Sequence, residues 1–142
     1  MDILLAQDDA ALRARWRLAL QAAGHRVLPA PVAARARRML LVYRVDAVVV
    51  DLDGGAAGGL ATAAMAGWRN PDCAVVVVTG QALFARGELF ALVPGMAAVL
   101  HKPIQPHDLV ATVEHHAPCA RLPVARGGSE LEEIAAVTTG RR

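Results

Sequence analysis

Five short strand-like runs, each followed by a segment of helical period, constrain this chain more than any other feature. Ala47-Val48-Val49-Val50 is the clearest of them. Three β-branched residues in succession favour extended backbone, and an apolar run without alternation implies a strand covered on both faces. Ile3 to Ala6, His25 to Leu28, Ala74 to Val78 and Ala97 to His101 are the other four. Between them Leu12, Trp16, Ala19 and Ala23 recur at helical spacing up to Gly24, and Val32, Ala36, Met39, Leu40 and Tyr43 mark a second helix. A helix of small residues is predicted from about Leu60 to Trp68, and another near Gly87 to Leu92 that Pro94-Gly95 breaks. The last runs from Pro106 to His116, with proline in its first turn. Strand–helix units in this number predict an α/β fold with a doubly wound, five-stranded parallel sheet. Right-handed crossovers then put helices on both faces. The second run closes at Pro29 and Pro31 with nothing polar, which suits the margin of the sheet.

That pattern occupies residues 1–117. Residues 118–142 differ: Pro118, Pro123, Gly127 and Gly128 make a linker, and Ser129 with Glu132 forms a capping box for a short terminal helix. About two turns of helix is marginal alone, so a docked or frayed tail is expected here and no effector domain. A formal charge of +2, with arginines scattered along the chain, gives no footprint for nucleic acid. No apolar stretch approaches the ~20 residues that span a bilayer, and no signal peptide opens the chain. The expected setting is cytoplasmic. Cys73 and Cys119 have neither zinc-site nor redox-motif spacing. Lys102 is the only lysine among 15 lysines and arginines, which makes it a candidate for a position that needs a compact point charge.

In open α/β sheets, ligands sit beyond the carboxyl ends of the strands. The first strand ends at Asp8-Asp9, the third at Asp51, the fourth at Thr79 and the fifth at Lys102-Pro103. Each has an ordinary alternative. Asp8 or Asp9 also suits the N-cap of the first helix, Thr79 a strand residue capping the next turn, and Lys102 a solvated charge. Together on one edge they make chemical sense. Carboxylates packed together repel unless a cation is present, and Mg2+ takes one or two carboxylates, waters and phosphate oxygens. Asp51 is then a nucleophile for a phosphoryl group, whose oxygens metal, ammonium and hydroxyl would neutralise.

This ordered set resembles the receiver domains of two-component response regulators, over about residues 1–117. The resemblance implies a flavodoxin-like fold and a signalling domain that takes phosphate without being a turnover enzyme. It implies Mg2+ held by Asp8, Asp9, Asp51 and the carbonyl of Asp53, with phosphate reaching Asp51 from a sensor histidine kinase or phosphotransfer protein. Thr79 and Lys102 would bind the phosphoryl group. The Lys102-Pro103 bond is often cis in this family. Output would run through a downstream protein or a homodimer on the face of the fourth helix, fifth strand and last helix.

The chain departs from the family pattern in several places. Gly55 stands where proline is usual, Gly58-Gly59 where an acidic-glycine pair is usual, and Val99 replaces the switch aromatic. A loose loop after Asp51 and an altered readout are the expectations. The Asp53 side chain is a candidate for orienting water and changing phosphoryl lifetime. Two rivals exist. Asp51-Leu52-Asp53-Gly54 resembles the first motif of haloacid-dehalogenase-type phosphatases, but in that family the acidic pair comes last and here Asp8-Asp9 comes first. A non-phosphorylated pseudo-receiver is the other, against which the acidic pair, Asp51, Thr79 and Lys102 all stand.

Overall fold

A computed structural model describes residues 1–53, 56–80, 93 and 95–117. The described residues form five strands and four helices, in the order β1 (Asp2–Ala6), α1 (Ala10–Ala22), β2 (Arg26–Ala30), α2 (Ala33–Val42), β3 (Ala47–Asp51), α3 (Ala56–Arg69), β4 (Ala74–Thr79), β5 (Met96–His101) and α4 (Pro106–His116). All strand pairs are parallel, in the order β2-β1-β3-β4-β5. The α/β sheet expected from the sequence is therefore present. The helix expected near Gly87 to Leu92, Cys119 and the tail 118–142 lie outside the described residues.

Period-two geometry sorts the apolar strands onto two cores. Leu4, Val48, Val50, Val75 and Val77 face Ala36 and Leu40 of α2 and Ala63 and Ala66 of α3. Ile3, Leu5, Val49, Val76 and Val78 face Trp16 and Leu20 of α1 and Leu109 and Val113 of α4. Every residue of the central strands β3 and β4 is buried because both faces are covered, which is why the sequence there shows runs in place of alternation.

Two boundaries differ from the expectation. β2 continues through Pro29 to Ala30, in register with Leu5 and Ala6 of β1. It is an edge strand, where a missing N–H is tolerated. The helix expected from Leu60 begins at Ala56, so Gly58 and Gly59 belong to α3 and not to a loose loop. Packing supplies the reason. A Cβ on Gly59 would stand 3.0 Å from the Asp51 carbonyl oxygen, and one on Gly58 only 2.8 Å from Ala33 Cβ in α2. The glycines let α3 lie close against both neighbours; Gly55 itself lies outside the described residues. Gly24, at φ +94°, ends the first helical segment in a conformation other residues resist.

No helix among the described residues is long and apolar enough to cross a membrane.

Candidate functional site at the carboxyl edge of the sheet

The ladders extend one residue past several strands. Gln7 N–H donates to Ala30 O, Leu52 N–H to Val78 O, and Lys102 N–H to Thr79 O. These bonds fix where each polar side chain leaves the sheet, so backbone pairing positions the site.

Asp51 closes β3 and is buried. Its Oδ1 accepts from the Asp53 backbone N–H at 2.8 Å. Its Oδ2 accepts from Gln7 Nε2 at 2.5 Å and lies 2.6 Å from Lys102 Nζ. The same ammonium lies 3.0 Å from Asp53 Oδ2. Asp53 also receives the Thr79 hydroxyl on Oδ1 at 2.9 Å and the Gly80 N–H on Oδ2 at 2.8 Å. Asp51, Asp53, Thr79 and Lys102 are thus brought together from three strand ends. The Lys102–Pro103 peptide is cis.

The charges follow from these contacts. Burial alone would raise the Asp53 pKa, but hydrogen bonds from Lys102, Gly80 and Thr79, with the lysine's charge, hold it below the ordinary 3.8. Burial alone would lower the Lys102 pKa; the two carboxylates outweigh it and hold the ammonium above the ordinary 10.5. The pair is a charged cluster held together by mutual hydrogen bonds.

The acidic pair after β1 is placed differently. Asp8 and Asp9 are both exposed. Asp9 is the N-cap of α1, its Oδ1 accepting from Leu12 N–H at 3.0 Å. Both line a cleft of about 320 Å3 that Gln7, Asp51, Asp53 and Lys102 also border. Among the described residues, no three carboxylate, imidazole or thiol groups converge tightly enough to form a metal cluster by themselves. Lys102 lies between Asp51 and Asp53, its ammonium bridging the two carboxylates. The donor set still fits a hard cation that keeps most of its waters, because Asp8 and Asp51 share one open cleft.

Gln7 is the residue that sequence reasoning missed. It is fully buried, and both ends of its amide are engaged, Oε1 by Asp9 N–H at 2.9 Å and Nε2 by Asp51. One signal was available: β1 and β3 pair Ile3 with Ala47 through Ala6 with Val50, and one further step brings Gln7 beside Asp51. That signal needs the strand order, which the sequence alone does not contain. Val99, where an aromatic is usual, is paired with Val77 and packs on the core shared with α2 and α3.

Comparison with known proteins gives this edge a family. A family model described as the response regulator receiver domain matches residues 3–114. The chain belongs to that family, a family of signalling domains, and its place in two-component signalling follows. Among solved structures, a CheY-like receiver domain protein from Methanospirillum hungatei is 22% identical, with a TM-score of 0.73 over 80% of this chain and 90% of that one. A response regulator from Burkholderia pseudomallei, solved with a phosphorylated aspartic acid, calcium ion and citrate, is 23% identical, with a TM-score of 0.70 over 79% and 65%. The protein TrrA from Thermotoga maritima, in complex with Mg2+ and BeF, is 17% identical, with a TM-score of 0.70 over 81% and 97%. At these identities the likeness shows the shared fold. No curated protein matches.

Proposed function

We propose that Asp51 accepts a phosphoryl group from a histidine kinase or phosphotransfer protein, and that the modified domain signals by binding a downstream protein or a second copy of itself. The observation that carries this reading is the Asp51 carboxylate, buried at the strand end with Lys102 Nζ 2.6 Å from Oδ2 and a cleft above it. In the transfer, a carboxylate oxygen of Asp51 forms the new bond to phosphorus while the phosphorus–nitrogen bond of the donor breaks. The leaving imidazole keeps the electron pair and takes a proton from solvent. Lys102 and Thr79 stabilise charge on the equatorial oxygens, the contribution that fixed donors in a partly water-excluded site make best.

Asp8 and Asp51 would hold Mg2+, with the carbonyl of Asp53; Asp9 stands behind them because its carboxylate caps α1. Bound there, the ion would neutralise negative charge during the transfer. A related fold that carries a phosphorylated aspartic acid and another solved with Mg2+ and BeF support this assignment.

The test is labelling with acetyl phosphate and Mg2+, followed by intact mass. One phosphoryl group per chain is expected, and none on Asp51→Asn. Labelling that survives the substitution, or no labelling of the wild type, would overturn the assignment.

A further inference from the structure

The two donors assigned to the phosphoryl group, Thr79 and Lys102, are already in use, and so is the neighbouring Gly80 amide. Thr79 Oγ1 and Gly80 N–H, at 2.9 and 2.8 Å, and Lys102 Nζ, at 3.0 Å, all contact the Asp53 carboxylate. We propose that Asp53 is an internal anion seated among the donors a phosphoryl group needs, competing with it for Thr79, Gly80 and Lys102. The inference rests on the reading of Asp51 as the acceptor.

Donor arithmetic makes the competition direct. A threonine hydroxyl has one proton and a backbone amide one, so neither serves two anions at full strength. Lys102 has three, but Asp51 Oδ2 and Asp53 Oδ2 already draw on it. Carboxylate and phosphoryl oxygens also want the same charge-assisted bonds and repel each other when crowded. Gly80 makes the fit close: a Cβ there would stand 3.2 Å from Asp53 Oδ2. An exit exists as well. The Asp53 side chain is 25% exposed and borders the cleft, so a displaced carboxylate turns into water and not into the core. Asp53 thereby sets how readily the domain accepts phosphate, a role separate from orienting water during its loss.

The experiment compares wild type, Asp53→Ala and Asp53→Asn for labelling by phosphoramidate, read as initial rate at fixed donor and as the Mg2+ concentration giving half that rate. With the competing anion gone, Asp53→Ala should label at least about ten-fold faster, the scale set by losing charge-assisted competition. Its half-saturating Mg2+ should stay within about two-fold of wild type, because a vacated donor set does not change the ion's carboxylates. Asp53→Asn, neutral but of the same size, should fall between, and it decides alone if the alanine variant fails to fold. Equal or slower labelling of the variants at Asp51 overturns the competition while leaving the acceptor assignment standing. A changed Mg2+ requirement without a faster rate at saturation also overturns it, assigning Asp53 to the metal. No label on Asp51 in any of the three proteins removes the acceptor assignment and this proposal with it.

Discussion

At the amino edge of the sheet, Asp2 meets Arg26 with Oδ1 3.1 Å from Nε, and Asp46 Oδ2 accepts the Asp2 backbone N–H at 2.8 Å. At the carboxyl edge, Asp51 meets Lys102 at 2.6 Å. Both edges therefore hold a carboxylate against a cation at similar distance, and solvent separates them. The Asp2 and Arg26 side chains are 38% and 56% exposed, those of Asp51 and Lys102 2% and 24%. Water can replace either partner at the amino edge, so that pair is worth about 0–1 kcal/mol. Asp51 has no such substitute. Its charge depends on Lys102, Gln7 and the Asp53 amide, and a group that depends on few fixed donors responds to any ion or phosphoryl group that enters among them.

The largest effect should come from Lys102→Met, which removes the cation and keeps most of the apolar stem. Asp51 Oδ2 is left with Gln7 alone, and Asp53 with Thr79 and Gly80. Partial exposure reduces the cost from that of a fully buried pair to about 2 kcal/mol, and labelling of Asp51 should fall by more than about a hundred-fold. Urea unfolding across a pH series adds a signature with a definite sign. The Lys102 pKa is raised, so its contribution is full below 10.5 and disappears as pH rises through the higher folded value. The Asp53 pKa is lowered, so its contribution is full above 3.8 and disappears as pH falls through the lower folded value. In Lys102→Met the alkaline loss should vanish and the acid loss should shrink. Wild-type pH dependence in the variant would mean that the carboxyl-edge pair is as dispensable as the amino-edge one.

A smaller effect is expected at Gln7, and it sharpens the contrast because no formal charge is removed. Gln7→Leu leaves Asp9 N–H and Asp51 Oδ2 each short of a partner, a loss of about 1–2 kcal/mol in unfolding free energy. Gln7→Glu places a second carboxylate against Asp51. It should be destabilised in metal-free buffer by repulsion, and Mg2+ should raise its melting temperature by more than it raises that of the wild type. Equal Mg2+ shifts in the two proteins would show that residue 7 does not face the ion.

How much of this was legible in the sequence depends on whether a feature is local. β3 and α4 could be bounded closely because Val48-Val49-Val50 and Pro106 are local signals. Asp51, Thr79 and Lys102 stood out because each interrupts an apolar run at the same edge. Gln7 did not, since a neutral amide carries no charge pattern and its importance arises from β1 lying beside β3. The Asp53 contacts were hidden for the same reason, joining residues 26 and 27 positions apart through the β3–β4 pairing. Gly58 and Gly59 suggested a loop because glycine is a poor helix former, whereas close approach to Asp51 and Ala33 overrides that preference.

The smallest effect is reserved for Arg26→Ala. The guanidinium spans Asp2 with Nε at 3.1 Å and Nη2 at 3.2 Å, geometry that looks stronger than the single ammonium contact at Asp51. If geometry set the worth of a pair, this substitution would cost more than any change at Lys102. If exposure does, it should cost under about 0.5 kcal/mol, and that difference should disappear in ~1 M salt, where screening acts over about 3 Å. Labelling of Asp51 should not change, because the pair lies at the opposite end of the strands from the acceptor. A salt-insensitive loss above about 1.5 kcal/mol would show that the amino edge is held by its ion pair after all. Solvent exposure would then no longer explain why only the carboxyl edge is built to respond to an incoming anion.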